Sequence, residues 1–107
     1  MVDRSVEIAV RAYLRNLVAQ GLHASFAVVF GSQAKGQATR WSDIDVLVIS
    51  PRFDAPRSYK DVGLLWRIAA RTDTRIEPIP CGERQWQEDR SSPVVEIARR
   101  EGQVIAA

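Results

Sequence analysis

Phe30-Gly31-Ser32-Gln33-Ala34-Lys35-Gly36-Gln37-Ala38-Thr39-Arg40-Trp41-Ser42-Asp43-Ile44-Asp45-Val46 decides how the rest of this 107-residue chain is read. An apolar run, Phe26 to Phe30, stops at Gly31-Ser32. Ten residues later Asp43-Ile44-Asp45 opens a second apolar run, Val46 to Ile49. The pattern predicts two neighbouring strands with a small-residue turn at the end of one and two carboxylates at the start of the other. In a strand, side chains alternate faces, so Asp43 and Asp45 share one face and Ile44 points into the core. Two residues of strand rise set the carboxylates about 6–7 Å apart. Two negative charges at that distance repel by roughly 2 kcal/mol at an effective dielectric near 20. A cation turns that cost into attraction. Mg²⁺ suits such a place, because it takes oxygen ligands, keeps several waters and is completed by phosphates.

The upstream half of the stretch points to the same chemistry. Gly31 permits backbone angles closed to other residues and lets a ligand approach the main chain. Ser32 adds a hydroxyl, and the N–H groups of a helical turn after it would face an anion. Ala34 and Gly36 leave the segment unobstructed, and Lys35 supplies a cation. The stretch is not a Walker A loop, for it lacks the Gly-Lys-Ser/Thr ending, and its glycines have the wrong spacing for a dinucleotide fingerprint.

Gly31-Ser32, ten residues, then Asp43-Ile44-Asp45-Val46 resembles the signature of the polymerase-β-like nucleotidyltransferase superfamily. The longer string, with Ala34, Gly36, Ser42, Leu47 and Val48, is most similar to its minimal nucleotidyltransferases. The resemblance is strong over 26–50 and runs collinearly through Glu101-Gly102 and a short apolar tail. Gln33 departs from it, since many members carry Arg or an aromatic residue there. The resemblance implies an α/β fold with a mixed sheet and packed helices, and the transfer of AMP from ATP with Mg²⁺, two ions being expected. It assigns Asp43 and Asp45 to the metal and Gly31 and Ser32 to the nucleotide, and Lys35 is counted with them. It also implies a third carboxylate on a later strand. Thr74-Arg75-Ile76-Glu77-Pro78-Ile79 alternates so that Ile76 and Pro78 face the core and Glu77 the other side. Glu77 is therefore expected to ligate a metal or to act as general base. Asp73 is the rival, but it sits in a loop-like segment.

Composition fits one compact unit, with residues 1–107 expected to form a single domain. Hydrophobic residues make up 46% and charged residues 26%, ordinary values for a globular protein. The lone cysteine, Cys81, excludes an internal disulfide and agrees with a reducing cytoplasm. No signal peptide or apolar run long enough to span a bilayer is present in the sequence. Net charge is only +2, and of fifteen basic residues all but Lys35 and Lys60 are arginine. These are scattered, so no nucleic-acid stripe emerges.

The expected element order is α-β-β-α-β-α-α. An amphipathic helix over Arg4 to Gln20 presents Val6, Val10, Tyr13, Leu14, Leu17 and Val18, and Gly21 ends it. His23 falls in the turn before the first strand. Pro51 to Arg57 reads as a loop, after which Ser58 caps a helix with Asp61 as its capping-box partner. Val62, Leu65, Trp66 and Ile68 form that helix's apolar side. A short helix follows over Glu83 to Asp89, and Ser92-Pro93 starts the last one, ended by Gly102.

A core this small has no visible domain for gripping an acceptor. The resemblance implies a partner, a small helical HEPN-type toxin adenylylated on a tyrosine, with this chain as the antitoxin. Inhibition by binding alone is one alternative. Modification of a small molecule such as an aminoglycoside, by a homodimer, is another. Trp41, Trp66 and Trp86 fit either an interface or core packing.

Overall fold

The computed structural model describes residues 2–39, 41–56 and 58–107. Helix α1 (Arg4–Ala19) leads into strand β1 (Phe26–Phe30), and β2 (Ile44–Ile49) returns beside it. Helix α2 (Tyr59–Thr72) crosses over to β3 (Ile76–Cys81). Two further helices, α3 (Glu83–Glu88) and α4 (Pro93–Glu101), precede β4 (Gln103–Ala106). The strands form one mixed sheet in the order β3-β2-β1-β4. β1 is antiparallel to both β2 and β4, whereas β2 and β3 run parallel. A parallel pair needs a crossover of a dozen or more residues, and α2 supplies it.

Strand alternation splits the core in two. Ala27, Val29, Ile44, Val46, Val48, Ile76 and Ile105 pack against α1 and α2. Val28, Phe30, Leu47, Ile49 and Cys81 pack against Val95 and Ala98 of α4. Tyr13 is fully buried among the first set, and its hydroxyl donates to the Leu65 carbonyl at 2.9 Å. Such a bond contributes about 1 kcal/mol and joins the two helices of that layer. Trp86 stands edge-on to Phe26 with centroids 5.9 Å apart, and the Arg99 guanidinium lies 5.7 Å from its ring. That tryptophan packs, whereas Trp41 and Trp66 are exposed.

Several sequence expectations change in detail. The apolar tail after Gly102 is a fourth strand, since Ile105 alternates into the α1 layer while Val104 stays exposed. Val18 is exposed because it falls past the face that Val6, Val10, Tyr13, Leu14 and Leu17 bury. Trp66 points outward for the same reason, and Ala69 takes the buried position on α2. Ser58 does cap α2, accepting from the Lys60 N–H, but the Asp61 carboxylate pairs with Arg52 at 3.0 Å. The segment after β2 contains a 3₁₀ turn, Pro51–Asp54, and its expected end at Arg57 lies outside the described residues.

Both sheet edges are modified. The Arg75 and Cys81 carbonyls accept from Ile44 and Ser50, so odd-numbered residues of β3 turn their backbone toward β2. The nitrogens of Pro78 and Pro80 therefore point away from β2, where a missing N–H costs no ladder bond. At the other edge Arg11 donates to the Ala106 carbonyl at 3.1 Å.

Candidate active site

The antiparallel register of β1 and β2 sets Phe30 opposite Asp45. The parallel register of β2 and β3 then sets Asp45 opposite Glu77. Asp45 and Glu77 share the α4 face of the sheet with Leu47 and Ile79, at the end that α4 leaves open. Asp43 is exposed one residue before β2, and Ile44 between the aspartates is fully buried. The expected alternation holds, although the strand begins one residue later than Asp43.

Gly31 explains the abrupt end of β1. Its φ is +75°, and a Cβ there would lie 2.5 Å from Asp45 Oδ2. Only glycine fits both the backbone and the space. The chain then makes a single 3₁₀ turn, Gly31–Gln33, in which the Gly31 carbonyl accepts from Ala34 and Lys35. At the start of a helical turn the first N–H groups lack intrahelical partners and point outward. Ser32 is half-buried there, while Lys35 lies 3.5 Å from Glu101 at the end of α4.

Gln33 has a role that sequence reasoning missed. It is 95% buried, and its Nε2 donates to the Ser42 and Asp43 carbonyls, each at 3.3 Å. One amide thereby ties the turn after β1 to the segment carrying the aspartates. Thr39 and Ser42 close the intervening loop, with Thr39 N–H donating to Ser42 Oγ at 2.9 Å and Ser42 N–H to Thr39 O at 3.0 Å. Replacing Gln33 with Leu is expected to cost about 1–3 kcal/mol, since it strands two carbonyls. Thermal melts would register that loss.

Charge is concentrated where the strands meet. Partial burial and the neighbouring Asp43 charge push the Asp45 carboxyl above its ordinary value, offset in part by a contact with Glu77. Glu77 is raised too, by loss of solvent and then by Asp43 and Asp45. The folded chain thus holds protons that the unfolded chain has released, and stability is expected to fall as pH rises from about 4 through the raised values. Melting temperatures measured across that range without divalent cations would test this, and Glu77→Gln should flatten the slope.

Carboxylate oxygens such as those of Asp43 and Asp45 are the donors a hard cation takes. Among the described residues, no three His, Cys, Asp or Glu side chains are grouped so that together they could hold a metal ion. Mg²⁺ does not demand such a group, since one or two carboxylates plus phosphates and water complete its shell. A cavity of about 320 Å³ borders the same loop, lined by Gln33, Gly36, Ala38, Thr39, Asp3, Ser5, Val6 and Arg75. None of the three carboxylates lines it.

Residues 11–92 match the family model of the nucleotidyltransferase domain. The chain belongs to that family. No curated protein gives a significant match. In fold, the chain is similar to a Sulfolobus solfataricus protein provisionally assigned as a nucleotidyltransferase. The TM-score is 0.67 at 13% identity, over 94% of this chain and 78% of the other. It is also similar to a chain of a toxin–antitoxin crystallised with AMP-PNP, at a TM-score of 0.60 and 20% identity, over 92% and 71% of the respective chains.

Proposed function

We propose that this chain is a minimal nucleotidyltransferase that moves AMP from ATP to a tyrosine hydroxyl of a HEPN-type toxin, for which it is the antitoxin. The observation that carries the reading is the strand register, which stands Asp45 against Glu77 and beside Gly31 on the α4 face of the sheet. The similarity in fold to a toxin–antitoxin with bound AMP-PNP, an ATP analogue, supports the nucleotide and the kind of partner.

Asp43 and Asp45 would hold Mg²⁺, with Glu77 at the margin of the same acidic cluster. Bound Mg²⁺ supplies charge neutralisation for the reacting α-phosphate and the departing pyrophosphate. The backbone of Gly31–Gln33 and the Ser32 hydroxyl receive the triphosphate, and Lys35 leaves its weak surface pairing with Glu101 to meet it. Glu77 takes the proton of the acceptor hydroxyl as that oxygen attacks the α-phosphorus and pyrophosphate leaves. The activity resides in one unit, residues 1–107, acting in the cytoplasm, where the buried Cys81 stays a thiol.

Mass spectrometry of the protein encoded beside this one, after incubation with this chain, Mg²⁺ and each NTP in turn, tests the reading. A gain of one AMP on a tyrosine is expected, and it should vanish with Asp43→Asn/Asp45→Asn. Full inhibition of the neighbour by that double mutant, without any mass gain, would replace the enzyme with an inhibitor acting by binding. Transfer to an aminoglycoside without a protein partner would move the acceptor to a small molecule.

A further inference from the structure

We infer that Tyr59 is a self-modification site, adenylylated by a second copy of this chain. The inference rests on the transfer to tyrosine proposed above and adds an acceptor within the chain itself. The sequence holds two tyrosines, Tyr13 and Tyr59. Tyr13 is fully buried, its hydroxyl is committed to the Leu65 carbonyl, and burial pushes its proton affinity well above the ordinary phenol range. It cannot meet a nucleotide in the folded protein. Tyr59 is 98% exposed, at the first helical position of α2 after the Ser58 cap.

Geometry decides between reaction within one copy and reaction between two. α2 begins at Tyr59 and returns toward the acidic end of β2, where the Arg75 carbonyl accepts from Ile44 at 2.7 Å. Its 14 residues span about 20 Å. Tyr59 therefore sits a full helix length from Asp43, Asp45 and Glu77 of its own copy, beyond the reach of one side chain. The open acidic face of another copy has no such limit.

The step balances without a further reactant. Tyr59 Oη forms a bond to the α-phosphorus of ATP, the α–β phosphoanhydride bond breaks, and pyrophosphate leaves. The phenolic proton passes to Glu77 of the copy that holds the nucleotide. The product is a phosphodiester carrying one negative charge at the N-terminus of α2, beside the exposed Lys60. The helix dipole and the lysine both favour an anion there. The mark is thus placed where the fold tolerates it.

The test is peptide mapping of the intact chain after incubation with Mg²⁺ and ATP, with and without the neighbouring protein. One AMP on the peptide holding Tyr59 is expected, and Tyr59→Phe should remove it while leaving transfer to the neighbour unchanged. A mixture of Asp43→Asn/Asp45→Asn chain with Tyr59→Phe chain should label only the former, which demonstrates transfer between copies. Labelling of the neighbour with no AMP on Tyr59 overturns the inference and leaves the proposed function standing. Labelling of neither protein overturns both.

Discussion

Asp45→Asn is expected to reduce nucleotidyl transfer by about 100-fold or more while leaving the fold at least as stable as before. The first part follows from charge. In the proposed mechanism the carboxylate is one of two that would hold Mg²⁺ against the phosphates, and removing one preorganised electrostatic contact typically costs two to three orders of magnitude in rate. The second part follows from the site's own repulsion. Asp45 is held partly out of water, near Asp43 and opposite Glu77, and its charged form is disfavoured in the folded state. A neutral amide of the same shape relieves that strain. Turnover and melting temperature measured on the same preparation should therefore move in different directions. A variant that keeps near-normal turnover would remove Asp45 from the reaction, and one that melts much earlier would mean that the carboxylate is a structural member.

The second large effect is expected from Gly31→Ala. At φ +75° an alanine is strained by about 1–2 kcal/mol. Its methyl group would also stand 2.5 Å from Asp45 Oδ2, which real contacts do not tolerate, so the carboxylate must move. Transfer should fall as far as it does for Asp45→Asn, and combining the two substitutions should add little. Gly36→Ala separates the causes. Gly36 has a φ of +71° but nothing within 4 Å of its missing Cβ. It should show the strain in a thermal melt and keep most of the activity. Equal losses at both glycines would overturn the view that Gly31 is needed for the space beside Asp45.

Much of this site was legible because its residues are close in sequence and their periods are simple. Asp43-Ile44-Asp45 needed only strand alternation to place two carboxylates together. Glu77 needed one further assumption, that its strand lies beside β2, and the parallel register supports it. Gln33 was not legible as a clamp. Nothing in a single sequence says that its amide turns inward to two carbonyls nine and ten residues away. The pairing of Lys35 with Glu101 joins segments far apart in the chain, and only the packing of α4 brings them together. The last strand was missed for a different reason. Gln103–Ala106 is four residues long, and so short a run carries too little alternation to be told from a tail. Val18 and Trp66 show the limit of helical periodicity, which locates an apolar stripe but not how wide a stripe the neighbouring layer covers.

Pro78 and Pro80 restrict how an acceptor can arrive. A peptide strand pairing along the outer edge of β3, next to Glu77, would find no main-chain N–H at Pro78 or Pro80. Strand addition, a common way to present an extended substrate, is thereby closed at the border nearest the carboxylates. An acceptor for the proposed transfer would then meet the face of the sheet rather than the edge of β3. The folded partner proposed above, offering one protruding phenol, would have no need of that edge.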